Sequence, residues 1–362
     1  MHMAGSRTFT VAVACVVPVC VGACSSSSGQ TDPITGCKQL AITSLLQSPL
    51  PAGGAYGGVV SDGQNVYFSG IGSLYRVPIS GGAAETVYAG PFGGQFGAAG
   101  GRVAWVPLMS DNVTPAGLTV ENASGPSAVV LPDGVQPVSY EPILIDDEGN
   151  VFFEVTLPTG GPARTWRWSP ATNSAGEMPG VGMPETGAAG TNLYWVDRGE
   201  IVWSNNIDGP AAGIYITDVS TGVSRQLAGT SNLAEFGGLL GVDEKNLYGM
   251  GSSCPNSACP FTAYGVARDG SGTPFVAYQT ADAYWTASPP QTDDSGIYWM
   301  DWNTPGIYHA AIAIGAPASL VAPLPRIAGN SIPATFARDA CNLYWITTDS
   351  TGAPSVMAIS KS

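Results

Sequence analysis

Charge is what this chain has least of. Asp, Glu, Lys and Arg make up 11% of its 362 residues, lysine occurs only as Lys38, Lys245 and Lys361, and histidine only as His2 and His309. Long helices and helical bundles keep their outer faces soluble with Lys and Glu, so this scarcity excludes them, the more so because 48 Gly and 29 Pro interrupt any 3.6-residue period. A formal net charge of −14 without a Lys/Arg cluster repels phosphates and excludes nucleic acid as a partner. With so little histidine and no Gly-x-Ser-x-Gly elbow, a Ser-His-Asp hydrolase is not expected. No phosphate loop, redox Cys-x-x-Cys or dinucleotide fingerprint is present either. The longest apolar run, Phe9 to Ala23, is broken by Pro18 and falls short of the roughly 20 residues that a membrane-spanning helix needs. Hydrophobic residues are abundant at 44%, enough to build a core, which excludes wholesale disorder.

The N-terminus reads as an export signal: Arg7 supplies the positive end, Phe9 to Val21 the apolar stretch, and small residues lead to Cys24. Val21-Gly22-Ala23-Cys24 resembles the lipobox of bacterial lipoproteins. The resemblance implies removal of residues 1–23, lipidation of Cys24 and a flexible Ser-rich tether over residues 24–36, with the folded part in 37–362. The membrane is then a partner through the lipid anchor alone, the acyl chains each contributing about 0.8 kcal/mol per buried CH₂. Ser25 after the lipidated residue implies sorting to the outer membrane, with a periplasmic or surface-facing domain.

A short strand returns seven times behind a turn rich in Asp, Gly and Asn. The copies are read at Asn65-Val66-Tyr67-Phe68, Arg102-Val103-Ala104-Trp105, Asn150-Val151-Phe152-Phe153, Asn192-Leu193-Tyr194-Trp195, Asn246-Leu247-Tyr248-Gly249, Gly296-Ile297-Tyr298-Trp299 and Asn342-Leu343-Tyr344-Trp345. Their mean period, about 46 residues from Tyr67 to Tyr344, is that of propeller blades. Each unit predicts a four-stranded meander, making the fold class all-β, a β-propeller of antiparallel blades. Tyr194-Trp195-Val196-Asp197 and Tyr298-Trp299-Met300-Asp301 resemble the YWTD repeat of low-density-lipoprotein-receptor-type and TolB-like propellers. Val77-Pro78-Ile79-Ser80-Gly81-Gly82 resembles a turn of their bacterial lipoprotein relatives. Receptor-type members have six blades; seven strand copies here make seven the expectation and six the alternative.

The last unit lacks one strand, and Leu40 to Leu46 supplies a candidate to close the ring. Of seven cysteines, Cys15 and Cys20 leave with the signal and Cys24 carries lipid, which leaves four in an oxidising compartment. Cys254 and Cys259 are expected to staple a loop tip and Cys37 and Cys341 to clamp the chain ends. A metal site at Cys254 and Cys259 is the less favoured use, because His309 alone remains to complete a ligand set.

Function is expected where loops converge at one end of the channel. Long insertions are read after the fourth and fifth Tyr-Trp strands, carrying Asp197, Arg198, Glu200, Trp203 and Asn205 and then the Cys254 to Cys259 tip; Asp301-Trp302-Asn303 lies next door. Asp197, Arg198, Trp203, Asn205, Asp301 and Trp302 form the candidate binding face, a flat apolar platform beside polar groups that suits an unknown protein or saccharide ligand. The plainer reading has Trp203 and Trp302 capping the channel. Asp146-Asp147-Glu148 and Asp293-Asp294 are candidates for a glycosidase pair or a Ca²⁺ site, but they fall where each blade has its turn and read first as turn formers. No cofactor or catalytic residue is assigned. The expectation is a lipid-anchored, monomeric binding or protein-interaction module, with a carboxylate- or metal-dependent lyase or hydrolase as the alternative.

Overall fold

A computed structural model describes residues 41–48, 50, 56–70, 72–122, 124–139, 142–159, 163–178, 180–181, 191–197, 199–205, 213–227, 236–242, 245–251, 260–283, 290–293, 295–301, 304–325, 335–348 and 354–361. Seven antiparallel sheets form a ring, a seven-bladed β-propeller. Blade 1 shows the pattern: Tyr56–Ser61 lies innermost, followed outward by Asn65–Gly70, Ser73–Pro78 and Glu85–Ala89. Blade 3 departs slightly, its inner position shared by two short strands, Gln136–Pro137 and Leu144–Ile145, which both pair with Val151–Thr156.

The repeat read from sequence marks the second strand of each blade, with one correction. In blade 4, Tyr194-Trp195 lies on the innermost strand, Thr191–Asp197, and the second strand is Glu200–Asn205. The true fourth copy is therefore Glu200-Ile201-Val202-Trp203, and the long insertion expected after the fourth Tyr-Trp strand contains this strand.

Burial explains why this strand recurs. Its side chains alternate between the two blades that flank it, so both sets must be apolar. Val103 and Trp105 pack against blade 1 with Tyr67 and Leu74, while Ala104 and Val106 pack against blade 3 with Phe153 and Trp166. Ile201 and Trp203 likewise face blade 3 with Phe152, and Val202 faces blade 5 with Leu247. Seven such clusters fill the seven blade boundaries, including the one between blades 7 and 1. Aromatic rings bury roughly 150–250 Å² each, and at about 25 cal/mol per Å² they dominate these layers. Nearer the axis the inner strands approach so closely that a Cβ at Gly97 would overlap the Ile143 carbonyl oxygen.

Closure follows the expected plan. Phe336–Arg338, Asn342–Thr348 and Pro354–Ser360 give blade 7 three strands, and Thr43–Ser44 adds the outer one, Thr43 opposite Ala358 and Ser44 opposite Met357. The Leu45 amide extends the ladder to the Val356 carbonyl at 2.8 Å, and the Gly82 amide of blade 1 donates to the Leu45 carbonyl, also at 2.8 Å.

Candidate functional site

Antiparallel blades give the ring two different ends. The turns from inner to second strand lie at one end, here called the turn face; the connections from second to third strand lie at the other, the loop face.

Four described carboxylates on the turn face are held by the turns themselves. Asp62 accepts from the amides of Gln64 at 2.8 Å and Asn65 at 2.6 Å, and from the Tyr67 hydroxyl at 3.1 Å. Asp339 repeats this arrangement with the amides of Cys341 and Asn342, both at 2.7 Å, and the Tyr344 hydroxyl at 2.5 Å. Asp146 takes the Asn150 amide at 2.7 Å and its side-chain NH₂ at 2.8 Å, and burial raises its pKa. Asp293 accepts from the Ser295 amide at 2.9 Å and from Lys361 Nζ at 2.6 Å, with Arg338 Nη1 at 3.7 Å. Burial disfavours its charged form, but the two cations and the hydrogen bonds from Lys361 and Ser295 together outweigh burial and hold its pKa at about 2. Burial foremost, with the Asp293 charge, pushes Tyr298 in the same turn up to about 12. Asp146 and Asp293 are thus turn formers as their spacing suggested.

Cationic side chains stitch the blades across this same end. Arg76 of blade 1 reaches Glu121 of blade 2 at 3.1 Å, and Arg268 of blade 5 reaches Glu200 of blade 4 at 2.8 Å. Arg338 of blade 7 also donates to the Thr292 carbonyl of blade 6, and Arg102 of blade 2 lies against Gly149 of blade 3.

The sequence-derived candidates do not share one face. Asp197 pairs with Glu200 across an inner-to-second turn, which puts it on the turn face, whereas Asn205 pairs with Thr191 at the opposite end of the same two strands. Five residues at about 3.3 Å each separate the two ends by roughly 17 Å. Trp203 lies between them, 1% exposed, its ring stacked on Tyr215 at 4.4 Å and its Nε1 donating to Thr217 Oγ1 at 2.8 Å. It is a core residue equivalent to Trp105, Trp299 and Trp345, neither a platform nor a channel cap. Asp301 ends the second strand of blade 6 on the loop face but is 0% exposed and accepts from the amide and hydroxyl of Thr304. Arg198, Trp302, Cys24, Cys37, Cys254 and Cys259 lie outside the described residues. Cys341 is disulfide-bonded, with its partner outside them as well. His309 packs at 4.5 Å from the Tyr298 ring centroid, and its Nε2 lies 3.1 Å from the Ser295 carbonyl.

The loop face carries one feature that the sequence reading passed over. Between the second and third strands of blade 2, Leu108 to Gly117 form a projecting hairpin. It is closed by a Leu108 to Pro115 bridge and by the Met109 amide donating to the Thr114 carbonyl at 2.8 Å. Asp111 organises its tip by accepting the amides of Val113 and Thr114, both at 2.9 Å. Met109 is 50% and Val113 74% exposed, so the hairpin presents apolar side chains to solvent on a hydrogen-bonded frame. The run Ser110-Asp111-Asn112 was the available signal: Asp and Asn are turn residues, and Asn112 has a φ of 60°. Among the described residues, no group of three or more His, Cys, Asp or Glu side chains is placed to hold a metal ion.

No known family model matches the chain, and no curated protein matches it in sequence. Solved structures do match. An oligogalacturonate lyase in complex with manganese is similar at a TM-score of 0.59 with 11% identity, covering 90% of this chain and 98% of that one. The β-propeller domain of the Trilobed protease from Pyrococcus furiosus is similar at 0.57 with 10% identity, covering 84% and 93%; it has an open velcro topology, whereas blade 7 here is closed by the N-terminal strand. An acylaminoacyl peptidase from Pyrococcus horikoshii is similar at 0.53 with 10% identity over 84% of this chain and 50% of that one. At such identities the likeness is one of architecture, and what it establishes for this chain is the β-propeller fold.

Proposed function

We propose that this protein is a lipid-anchored envelope β-propeller that serves as a binding and protein-interaction module, engaging its partner through the loop face. The observation that carries the reading is the hydrogen-bonded hairpin of blade 2. It projects from the loop face with Met109 and Val113 in solvent, its tip held by the Asp111 carboxylate. Exposed apolar side chains on an ordered protrusion suit a protein partner, whose own apolar surface they would cover. The lipobox-like run ending in Cys24 supports anchoring, and the disulfide at Cys341 supports an oxidising compartment; Cys37 is the partner we propose for it.

Two measurements test the reading. Palmitate labelling in cells is expected to be lost in Cys24→Ala. Photo-crosslinking from a probe at Val113 is expected to trap a discrete protein, with none trapped from Ser80 on the turn side. Adducts from Ser80 alone, or from neither position, would remove the interaction reading.

A further inference from the structure

A cleft of about 290 Å³ opens at the outer rim between blades 3 and 4, away from the loop face. That is at the small end of ligand sites, which run from about 300 to 1,000 Å³. Its origin is legible in one strand. On Arg164–Ser169, the third strand of blade 3, Trp166 and Trp168 face blade 2 and fill that boundary. Alternation turns Arg167 and Ser169 toward blade 4, and opposite them on the outer strand Ser174–Glu177 stand Gly176 and Ser174. One face of the strand pair is packed with indole rings; the other carries Arg167 among small and polar residues, and the outer rim of this boundary stays open. A Cβ added at Gly176 would touch nothing within 4 Å.

The chemistry of the walls is specific. Arg167 donates a single long hydrogen bond, 3.4 Å to the Val219 carbonyl, and has no carboxylate partner among the described residues. The nearby carboxylates are occupied. Glu177, which lines the cleft edge, is paired with Arg164 at 2.6 Å, while Asp218 accepts the hydroxyls of Ser220 at 2.6 Å and Thr221 at 3.0 Å. Those hydroxyls keep lone pairs for a ligand, as do Thr172 and Ser174, which bond each other at 2.7 Å. The cleft therefore offers one uncompensated guanidinium fork surrounded by hydroxyl groups.

We propose that this cleft binds a small hydroxylated carboxylate of the sugar-acid class, with the carboxylate on the Arg167 fork and the hydroxyls of the ligand on Ser169, Thr172, Ser174 and Ser220. A fork suits a planar carboxylate, and paired hydroxyls suit a polyol. The site is separate from the loop face and stands or falls independently of the partner proposed there.

Calorimetric titration of the full-length protein with glucuronate, glucose and acetate at constant ionic strength tests it. Saturable binding of glucuronate is expected, with glucose and acetate weaker by about tenfold or more, the loss of one charge-assisted contact or of the hydroxyl set. Arg167→Leu should weaken glucuronate by a similar factor. Gly176→Leu, which fills the cleft from a position free of backbone strain, should abolish binding without lowering the melting temperature. Glucose binding as well as glucuronate, an unchanged affinity in either variant, or no saturable glucuronate binding at all would each overturn the proposal.

Discussion

Single residues in this propeller divide by what they hold. Asp293 carries a charge that the fold strongly favours, so its contribution to stability depends on pH in a defined direction. Its pKa falls from 3.8 to about 2 on folding, so the stabilisation is complete above about pH 4 and disappears as pH drops toward 2. Asp293→Asn is expected to cost roughly 2 kcal/mol at neutral pH, with the difference from wild type closing over that acid window. Denaturant titrations from pH 7 down to 2 measure it; a difference that does not vary with pH would show that the charge is not the cause. Trp203 carries no charge, and its contribution should not vary with pH. Trp203→Ala should cost about 3–5 kcal/mol, since it empties the boundary with blade 3. A melting temperature equal to wild type would contradict the placement of Trp203 in the core.

Among the elements, the second strand of each blade was the most legible in the sequence, because an apolar strand flanked by two sheets and preceded by an Asx turn has few alternatives. Asp62 to Tyr67 and Asp339 to Tyr344 show why: one carboxylate caps two amides and takes the Tyr hydroxyl, tying turn and strand together. The fourth copy misled because Tyr194-Trp195 carries the aromatic pair on an inner strand, while the true copy, Glu200 to Trp203, lacks both Asn and Tyr. Only the packing layer distinguishes them. That single shift also hid the division of the candidate face, since counting one strand too few moves a residue to the other end of the blade. Asp197 and Asn205 were therefore joined in one imagined loop. Gly97 sets the tolerance of the inner strands: Gly97→Ala should cost about 1–3 kcal/mol through overlap with Ile143, as calorimetry would show. A neutral result would mean that the inner strands separate easily and the channel is softer than its contacts imply.

For the whole molecule, stability depends on a seam. Blade 7 is assembled from both ends of the chain, and Cys341 sits in its first turn, where the Lys361 amide donates to its carbonyl at 2.8 Å. A bridge to Cys37 would enclose about 300 residues, for which the chain-entropy estimate exceeds about 4 kcal/mol. Cys341→Ser is expected to melt well below wild type under oxidising conditions and alongside it after reduction. If reduction leaves the wild-type melting temperature unchanged, the seam holds without the clamp. The fold class, blade number and closure could all be read in advance because they follow from a repeat. The rim cleft could not, because it arises from small residues on one side of a strand whose other side looks like ordinary core.

The direction of the closing strand also sets from which end the N-terminal segment enters the ring. Thr43–Ser44 runs antiparallel to Pro354–Ser360, whose end lies beside the Cys341 turn, so the chain enters the ring from the turn side. With the lipid anchor proposed at Cys24, residues 24–36 would lead from the membrane to that side of the ring. The stitched end would then lie nearer the lipid and the apolar hairpin farther from it, like the rim of a plate on a stand.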